Sequence, residues 1–377
     1  MESEKTTNLA IFSVSAGAGH IRAAQALEKA AATLGRPVKA VHLDLMSIVP
    51  EVFKKMYADS YLKIVESHPT LWGYLYQKAD REKTDSLLNK LRRGIQRLNT
   101  RALAGTIAEI APDHIICTHF LPAELISRMI EKEGFAIPCW VQVTDFDVHT
   151  MWVHQHMTGY FTASEEVAFR LADRGIARDN IRVTGIPISP VFSATFSRET
   201  CSAELGIDPK KFTLLLMAGG AGLGGLELLA ERLLGIPGNF QIIALAGKNA
   251  EMLDMLKNIA AKHPGRLFPL GFTTTIERVM AVADIAVTKP GGLTTSECLA
   301  VGLPMIIVSP IPGQEERNAD YLLENGVALK AYDAAGLEYR VRALLEAPER
   351  LVTMRRRALD IARPRAAFDV LNTVLGS

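Results

Sequence analysis

Four cysteines in 377 residues, Cys117, Cys139, Cys201 and Cys298, stand far apart without paired spacing. That argues against a disulfide framework or a zinc site and suits reduced thiols in a cytoplasm. Neither sign of charge is in excess: 42 Lys and Arg face 41 Asp and Glu, a formal net charge of +1. No global field therefore draws the chain to nucleic acid, which leaves only local basic patches to consider. No apolar run approaches the roughly 18 residues that cross a bilayer. The opening Met1-Glu2-Ser3-Glu4-Lys5 lacks the basic start, longer apolar core and cleavage site of a secretory signal. A cytoplasmic or peripheral protein is expected. Hydrophobic residues make up 48% and charged residues 22%, enough to bury two cores, and the length suits two domains of about 150 to 200 residues.

Short apolar runs alternate with helical stretches. Leu9 to Ser15 reads as a strand, Ala16-Gly17-Ala18-Gly19-His20 as a glycine loop, and Ile21 to Leu34 as a helix. Val38 to Leu45, His114 to Thr118 and Pro138 to Thr144 read as further buried strands, with helices over 94–110 and 121–132. Such alternation implies parallel strands, right-handed crossovers and ligands at the strands' carboxyl ends. From Val183 to Arg198 the chain turns proline-rich and then polar, as a linker does. A second series follows, with strands at Phe212 to Met217, Phe240 to Ala246, Leu267 to Leu270, Ile285 to Thr288 and Pro304 to Val308. Two facing α/β domains leave a cleft between their glycine loops, where small-molecule sites tend to lie.

The most informative stretch is Lys289-Pro290-Gly291-Gly292-Leu293-Thr294-Thr295-Ser296-Glu297. Bare glycines at a helix mouth let backbone amides approach a phosphate, and the helix dipole favours its charge. Glu297, about one turn further in, suits a ribose, because a carboxylate accepts from paired hydroxyls. Gly219-Gly220-Ala221-Gly222 lacks the Lys and Ser/Thr of a P-loop, and Gly17-Ala18-Gly19-His20-Ile21-Arg22 has Arg where a dinucleotide fingerprint has its third glycine. In isolation the Gly17 loop is equally well a steric turn, and His20 a surface residue. As a neutral imidazole facing a cleft, His20 has the chemistry of a general base. Gln314 and Glu315, after the Pro304–Val308 strand, fit either a capped helix start or a grip on sugar hydroxyls. Asp145-Phe146-Asp147, with His149, His154 and His156 beyond, formally offers a metal motif. Its spacing supplies no helical His pair and no third ligand, so no metal is expected. Between Glu51 and Arg101, Lys54, Lys55, Lys63, Lys90, Arg92, Arg93 and Arg97 interleave with Phe53, Tyr57, Tyr61, Trp72, Tyr74 and Tyr76. That mixture reads either as an ordinary solvated helix pair or as a surface for an anionic membrane, where rings sit at the interface.

Taken together, these residues resemble glycosyltransferase family 28, most closely its lipid branch of processive diacylglycerol glucosyltransferases and monogalactosyldiacylglycerol synthases. The carrying motifs are Gly17-Ala18-Gly19-His20, Thr144-Asp145-Phe146 with Trp152-Val153-His154, Val183-Thr184-Gly185-Ile186-Pro187, and the block from Ala283 to Asn318. Many relatives carry a richer glycine run than Ala16-Gly17-Ala18-Gly19. The likeness implies a GT-B fold, two Rossmann-like α/β domains facing across a cleft. Residues 1–190 would bind the acceptor and the membrane, 199–360 the UDP-sugar, and 361–377 would form a helix packing back toward the first domain.

By the same likeness, Glu297 would hold the ribose, Phe272 would lie by uracil, and Gly219, Gly220, Gly222, Gly291, Gly292 and Thr294 would surround the diphosphate. Gln314 and Glu315 would contact the sugar. His20 would be the base, and Asp145 would orient His20 or the acceptor. The expected reaction is inverting transfer of a hexose from UDP-glucose or UDP-galactose to diacylglycerol, with no cofactor beyond the donor. It would take place peripherally on the inner face of the cell membrane. A UDP-N-acetylglucosamine 2-epimerase and a silent UDP-sugar sensor are the competing expectations.

Overall fold

The computed structural model describes residues 6–15, 17–51, 54, 100–217 and 225–376. The chain divides into two compact units. Unit 1 takes the residues up to Pro190, with Ile311–Gln314 and Pro364–Ser377, and unit 2 takes Val191–Pro310 and Glu315–Arg363.

Unit 1 runs β1 (Thr7–Ser13), α1 (Ala18–Ala31), β2 (Val38–Asp44), the single turn α2 (Leu45–Ile48), α3 (Thr100–Ile110), β3 (His114–Cys117), α4 (Phe120–Glu133), β4 (Cys139–Gln142), β5 (Gly159–Thr162), α5 (Glu165–Asp173) and β6 (Ile181–Val183). Its sheet has the order β2-β1-β3-β4-β5-β6, and every pairing is parallel. Burial on both faces explains why β1 reads as a continuous apolar run. Alternate residues serve different cores: Ala10 and Phe12 join the cluster with Leu103, Ile107 and Leu125, while Leu9 and Ile11 join the one with Ala24, Leu27 and Ala30 of α1.

Unit 2 runs α6 (Arg198–Leu205), β7 (Phe212–Met217), α7 (Leu226–Leu234), β8 (Phe240–Gly247), α8 (Ala250–Lys262), β9 (Leu267–Gly271), α9 (Ile276–Val282), β10 (Ile285–Thr288), α10 (Gly292–Ala300), β11 (Met305–Val308), α11 (Gln314–Glu324), β12 (Ala328–Ala331), α12 (Ala334–Glu346) and α13 (Pro348–Ile361). Its sheet is also wholly parallel, in the order β12-β11-β10-β7-β8-β9. The last helix, α14 (Ala366–Leu375), belongs to unit 1, where Ala367, Val370, Leu371 and Val374 complete the α1 side of the core. Among the described residues no helix is long and apolar enough to cross a membrane. The basic and aromatic stretch between Glu51 and Arg101 lies outside the described residues, apart from Glu51, Lys54 and its last two positions.

Three strands escape the sequence reading. β5, β6 and β12 hold at most two apolar residues in a row, too few for an apolar run to stand out from its flanks.

Candidate functional site

The first turn of α1 follows a glycine because the backbone there needs one: Gly17 is the N-cap at φ 103°, in the region that favours glycine. No side chain caps the helix. His20 lies in that turn. Its Nδ1 is 2.9 Å from the Thr118 carbonyl oxygen and 2.9 Å from Thr144 Oγ1. A carbonyl only accepts, so Nδ1 carries the proton and Nε2 keeps its lone pair. Thr118 returns a bond, its Oγ1 donating to the His20 carbonyl at 2.9 Å. The two threonines lie 98 and 124 residues from His20. The sheet order brings them near, because β3 follows β1 and β4 follows β3.

Desolvation by the surrounding protein lowers the His20 pKa to about 4, against a smaller upward push from the Thr118 carbonyl. Part of the residue still meets solvent. The ring is therefore neutral at pH 7, with one open acceptor nitrogen, the state a general base starts from.

Around His20 stands an aromatic cluster that the sequence reading only partly anticipates. The His119 ring lies 4.5 Å from it, with the planes at 79°, and Trp152 lies 6.2 Å away. Phe120 closes the group, 4.1 Å from His119 and 5.9 Å from Trp152. Sequence reasoning missed Thr118 and His119. The available signal is their position, a polar pair at the carboxyl end of the apolar run Ile115–Cys117.

Asp145 is 6% exposed, and its Oδ2 accepts from Gln314 Nε2 at 2.6 Å. Its neighbour Thr144 makes the contact to His20. The histidines beyond do structural work. His149 Nδ1 accepts the Met151 N–H at 3.2 Å, capping a 3-10 turn over Thr150–Trp152. The Tyr160 hydroxyl accepts from the His154 N–H and donates to its carbonyl, at 2.7 and 2.8 Å. Among the described residues no three His, Cys, Asp or Glu side chains converge as a metal would require.

In unit 2 the described candidate positions Phe272, Gly291, Gly292, Thr294 and Glu315 follow the carboxyl ends of parallel strands. Gly291 is the N-cap of α10, with neither a capping side chain nor a first-turn acid. The first amides of that helix, Gly292, Leu293 and Thr294 among them, have no intrahelical acceptor. Asn318, fully buried on α11, donates Nδ2–H to the Pro290 carbonyl at 3.0 Å and pins the turn from below. Glu297 is 2% exposed on the inner part of α10. Glu315 approaches the turn from α11: a Cβ built on Gly291 would stand 3.8 Å from its Oε1.

Phe272 follows β9, three strand spacings from β10, or about 14 Å at the usual separation. It is 64% exposed, with Lys248 Nζ 5.3 Å from its ring centre. Gly302, in the same block, answers to packing: at φ 64°, an added Cβ would meet Leu359 Cγ of α13 at 2.9 Å. Gly219, Gly220 and Gly222 lie outside the described residues.

Residues 20–188 match the family model described as monogalactosyldiacylglycerol (MGDG) synthase, and residues 223–367 match the glycosyltransferase family 28 C-terminal domain. The processive diacylglycerol beta-glucosyltransferase of Bacillus pumilus (strain SAFR-032) is 30% identical over 370 residues, covering 97% of this chain and 94% of that one. Among solved structures, a UDP-glucosyltransferase from Polygonum tinctorium superimposes with a TM-score of 0.65 at 14% identity, covering 99% of this chain and 100% of that one. Acinetobacter baumannii MurG does so at 0.62 and 14%, with the same coverage. At these identities the structural likenesses speak for the fold. The two family matches and the full-length relative speak for more: this chain is a GT-B glycosyltransferase and belongs to glycosyltransferase family 28, in the lipid branch of processive diacylglycerol glucosyltransferases and monogalactosyldiacylglycerol synthases.

Proposed function

We propose that the chain transfers a hexose from a UDP-sugar to diacylglycerol in one inverting displacement, with His20 as the base. The observation that carries this reading is the His20 tautomer: Nδ1 is committed to Thr118, which leaves Nε2 of a neutral ring to accept a proton. The acceptor hydroxyl loses its proton to Nε2 as its oxygen attacks the anomeric carbon, and the carbon–oxygen bond to UDP breaks with its electron pair. The departing diphosphate is stabilised by the open amides and dipole of α10, together with the loop containing Gly219, Gly220 and Gly222.

In this reading Glu297 takes the ribose hydroxyls, Phe272 stacks on uracil, and Gln314 and Glu315 hold the sugar. A carboxylate beside Gly291 fits a hydroxyl better than a phosphate, which it would repel. Asp145 orients the acceptor or the His20 segment. No cofactor beyond the donor is assigned. The enzyme would work peripherally at an anionic membrane surface on its cytoplasmic face, and the name of the Bacillus pumilus relative makes UDP-glucose the first donor to try.

The test offers diacylglycerol liposomes with UDP-glucose or UDP-galactose and follows the lipids by mass spectrometry and the anomeric proton by NMR. A hexosyl-diacylglycerol with the anomeric configuration opposite to that of the donor is expected. Its loss in His20→Ala, with UDP binding largely kept, is also expected. A UDP-sugar epimerised without lipid product would replace the reading.

A further inference from the structure

His119 has no part in the reaction so far, yet it bounds His20 on one side. It is the N-cap of α4, and its Nδ1 accepts the Leu121 N–H at 3.0 Å. That bond occupies the Nδ1 lone pair, so the ring's proton sits on Nε2. Nε2 is buried without a hydrogen-bond partner among the described residues, and the residue as a whole is 0% exposed. Around it are the rings of His20, Phe120 and Trp152, with centroids 4.5, 4.1 and 6.3 Å away. Burial, and repulsion from a charged His20, push the His119 pKa well below that of a free histidine.

The hydrogen bonds at His20 Nδ1 are soft and still allow the ring to rock about Cβ–Cγ, and a second ring packed against it at 79° narrows that motion. We propose that His119 is a positioning residue: its ring, locked by the α4 cap in the Nε2–H form, sets the plane of His20 and so aims the Nε2 lone pair at the acceptor hydroxyl. It is not a relay. The proton leaving the acceptor oxygen forms the N–H bond at His20 Nε2 and stays there until solvent or the departing UDP takes it, because Leu121 already occupies the only lone pair of His119.

This inference rests on His20 being the base, and the experiment separates the two. His119→Asn keeps a side-chain acceptor at the cap and loses the ring, whereas His119→Phe keeps a ring and loses the cap acceptor. With UDP-glucose and diacylglycerol liposomes, H119N is expected to lower kcat about tenfold or more, as misaimed reacting groups do. Its KM for the donor should stay within about twofold, and H119F should stay within about threefold of the parent kcat on the same grounds. A parent-like kcat in H119N, or H119F as slow as H119N, overturns the proposal. An inactive H20A beside a fully active H119N sinks the positioning role alone, whereas an active H20A sinks the base assignment and this proposal with it. Nitrogen NMR of the parent protein reads the tautomer without activity: His119 protonated at Nε2 supports the lock, and protonation at Nδ1 refutes it.

Discussion

At the scale of single residues, the chemistry rests on how an imidazole and a carboxylate are held. The depressed pKa of His20 has a sign that can be worked out. Lowering the value from 6.5 keeps the basic form dominant at every pH above about 4, so proton uptake does not disable the ring until the medium is well below neutrality. The acid limb of kcat/KM, which reports the free enzyme, is expected below about pH 5, with a flat profile from pH 6 to 8. A limb centred at 6.5 would mean that the ring is solvated like that of a free histidine. Glu297→Ala should weaken UDP binding by roughly 1.5–3 kcal/mol, the worth of hydrogen bonds to a charged group. Calorimetric titration reads this directly, and an unchanged Kd would remove Glu297 from the donor site. Both positions stand out in the sequence as candidates, because a glycine turn followed by a helix start is a local signature. Their partners were not. Thr118 reaches His20 across 98 positions and Thr144 across 124, and no periodicity announces that β3 and β4 will lie beside β1.

At the scale of elements, the mouth of α10 is held open rather than capped. The turn before it keeps its shape through Asn318, whose amide is spent on the Pro290 carbonyl. Asn318→Ala leaves that buried carbonyl without this donor and should cost about 1–3 kcal/mol of stability. It should also weaken UDP, since the amides would no longer be preset. Urea unfolding and UDP titration check the two effects, and a loss of stability with undiminished affinity would show that the turn needs no support. The sequence singled out Pro312 to Asn318 as either a helix start or a sugar grip, and composition had no means to separate them. The structure gives Asn318 a job in holding the turn before α10. Of the residues after Thr144 that formally offer a metal motif, His149 caps a 3-10 turn through its ring and His154 holds the Tyr160 hydroxyl through its backbone. Short polar caps and buried ligands use the same residue types, and only three-dimensional convergence distinguishes them.

At the scale of the whole molecule, unit 1 is discontinuous in sequence. α14 lends Val370, Leu371 and Val374 to the core beside Leu9 and Ile11. Burying side chains of this kind is worth about 1.5–3 kcal/mol each, so the three together rival a domain's entire margin of about 5–15 kcal/mol. Deleting 364–377 should therefore leave unit 1 partly open, with increased binding of a hydrophobic dye and loss of sugar transfer. Donor binding by unit 2, whose core is separate, should be largely retained. A truncated protein with full transfer activity would show that α14 is dispensable.

Order of synthesis follows from the same helix. On the ribosome, the strands of the first unit emerge early with α1, but the helix that completes that side of their core is not made until the second unit has been translated. The half of the enzyme that is made first is thus finished last. Through that interval the nascent chain carries an incompletely covered apolar face, a natural hold for chaperones.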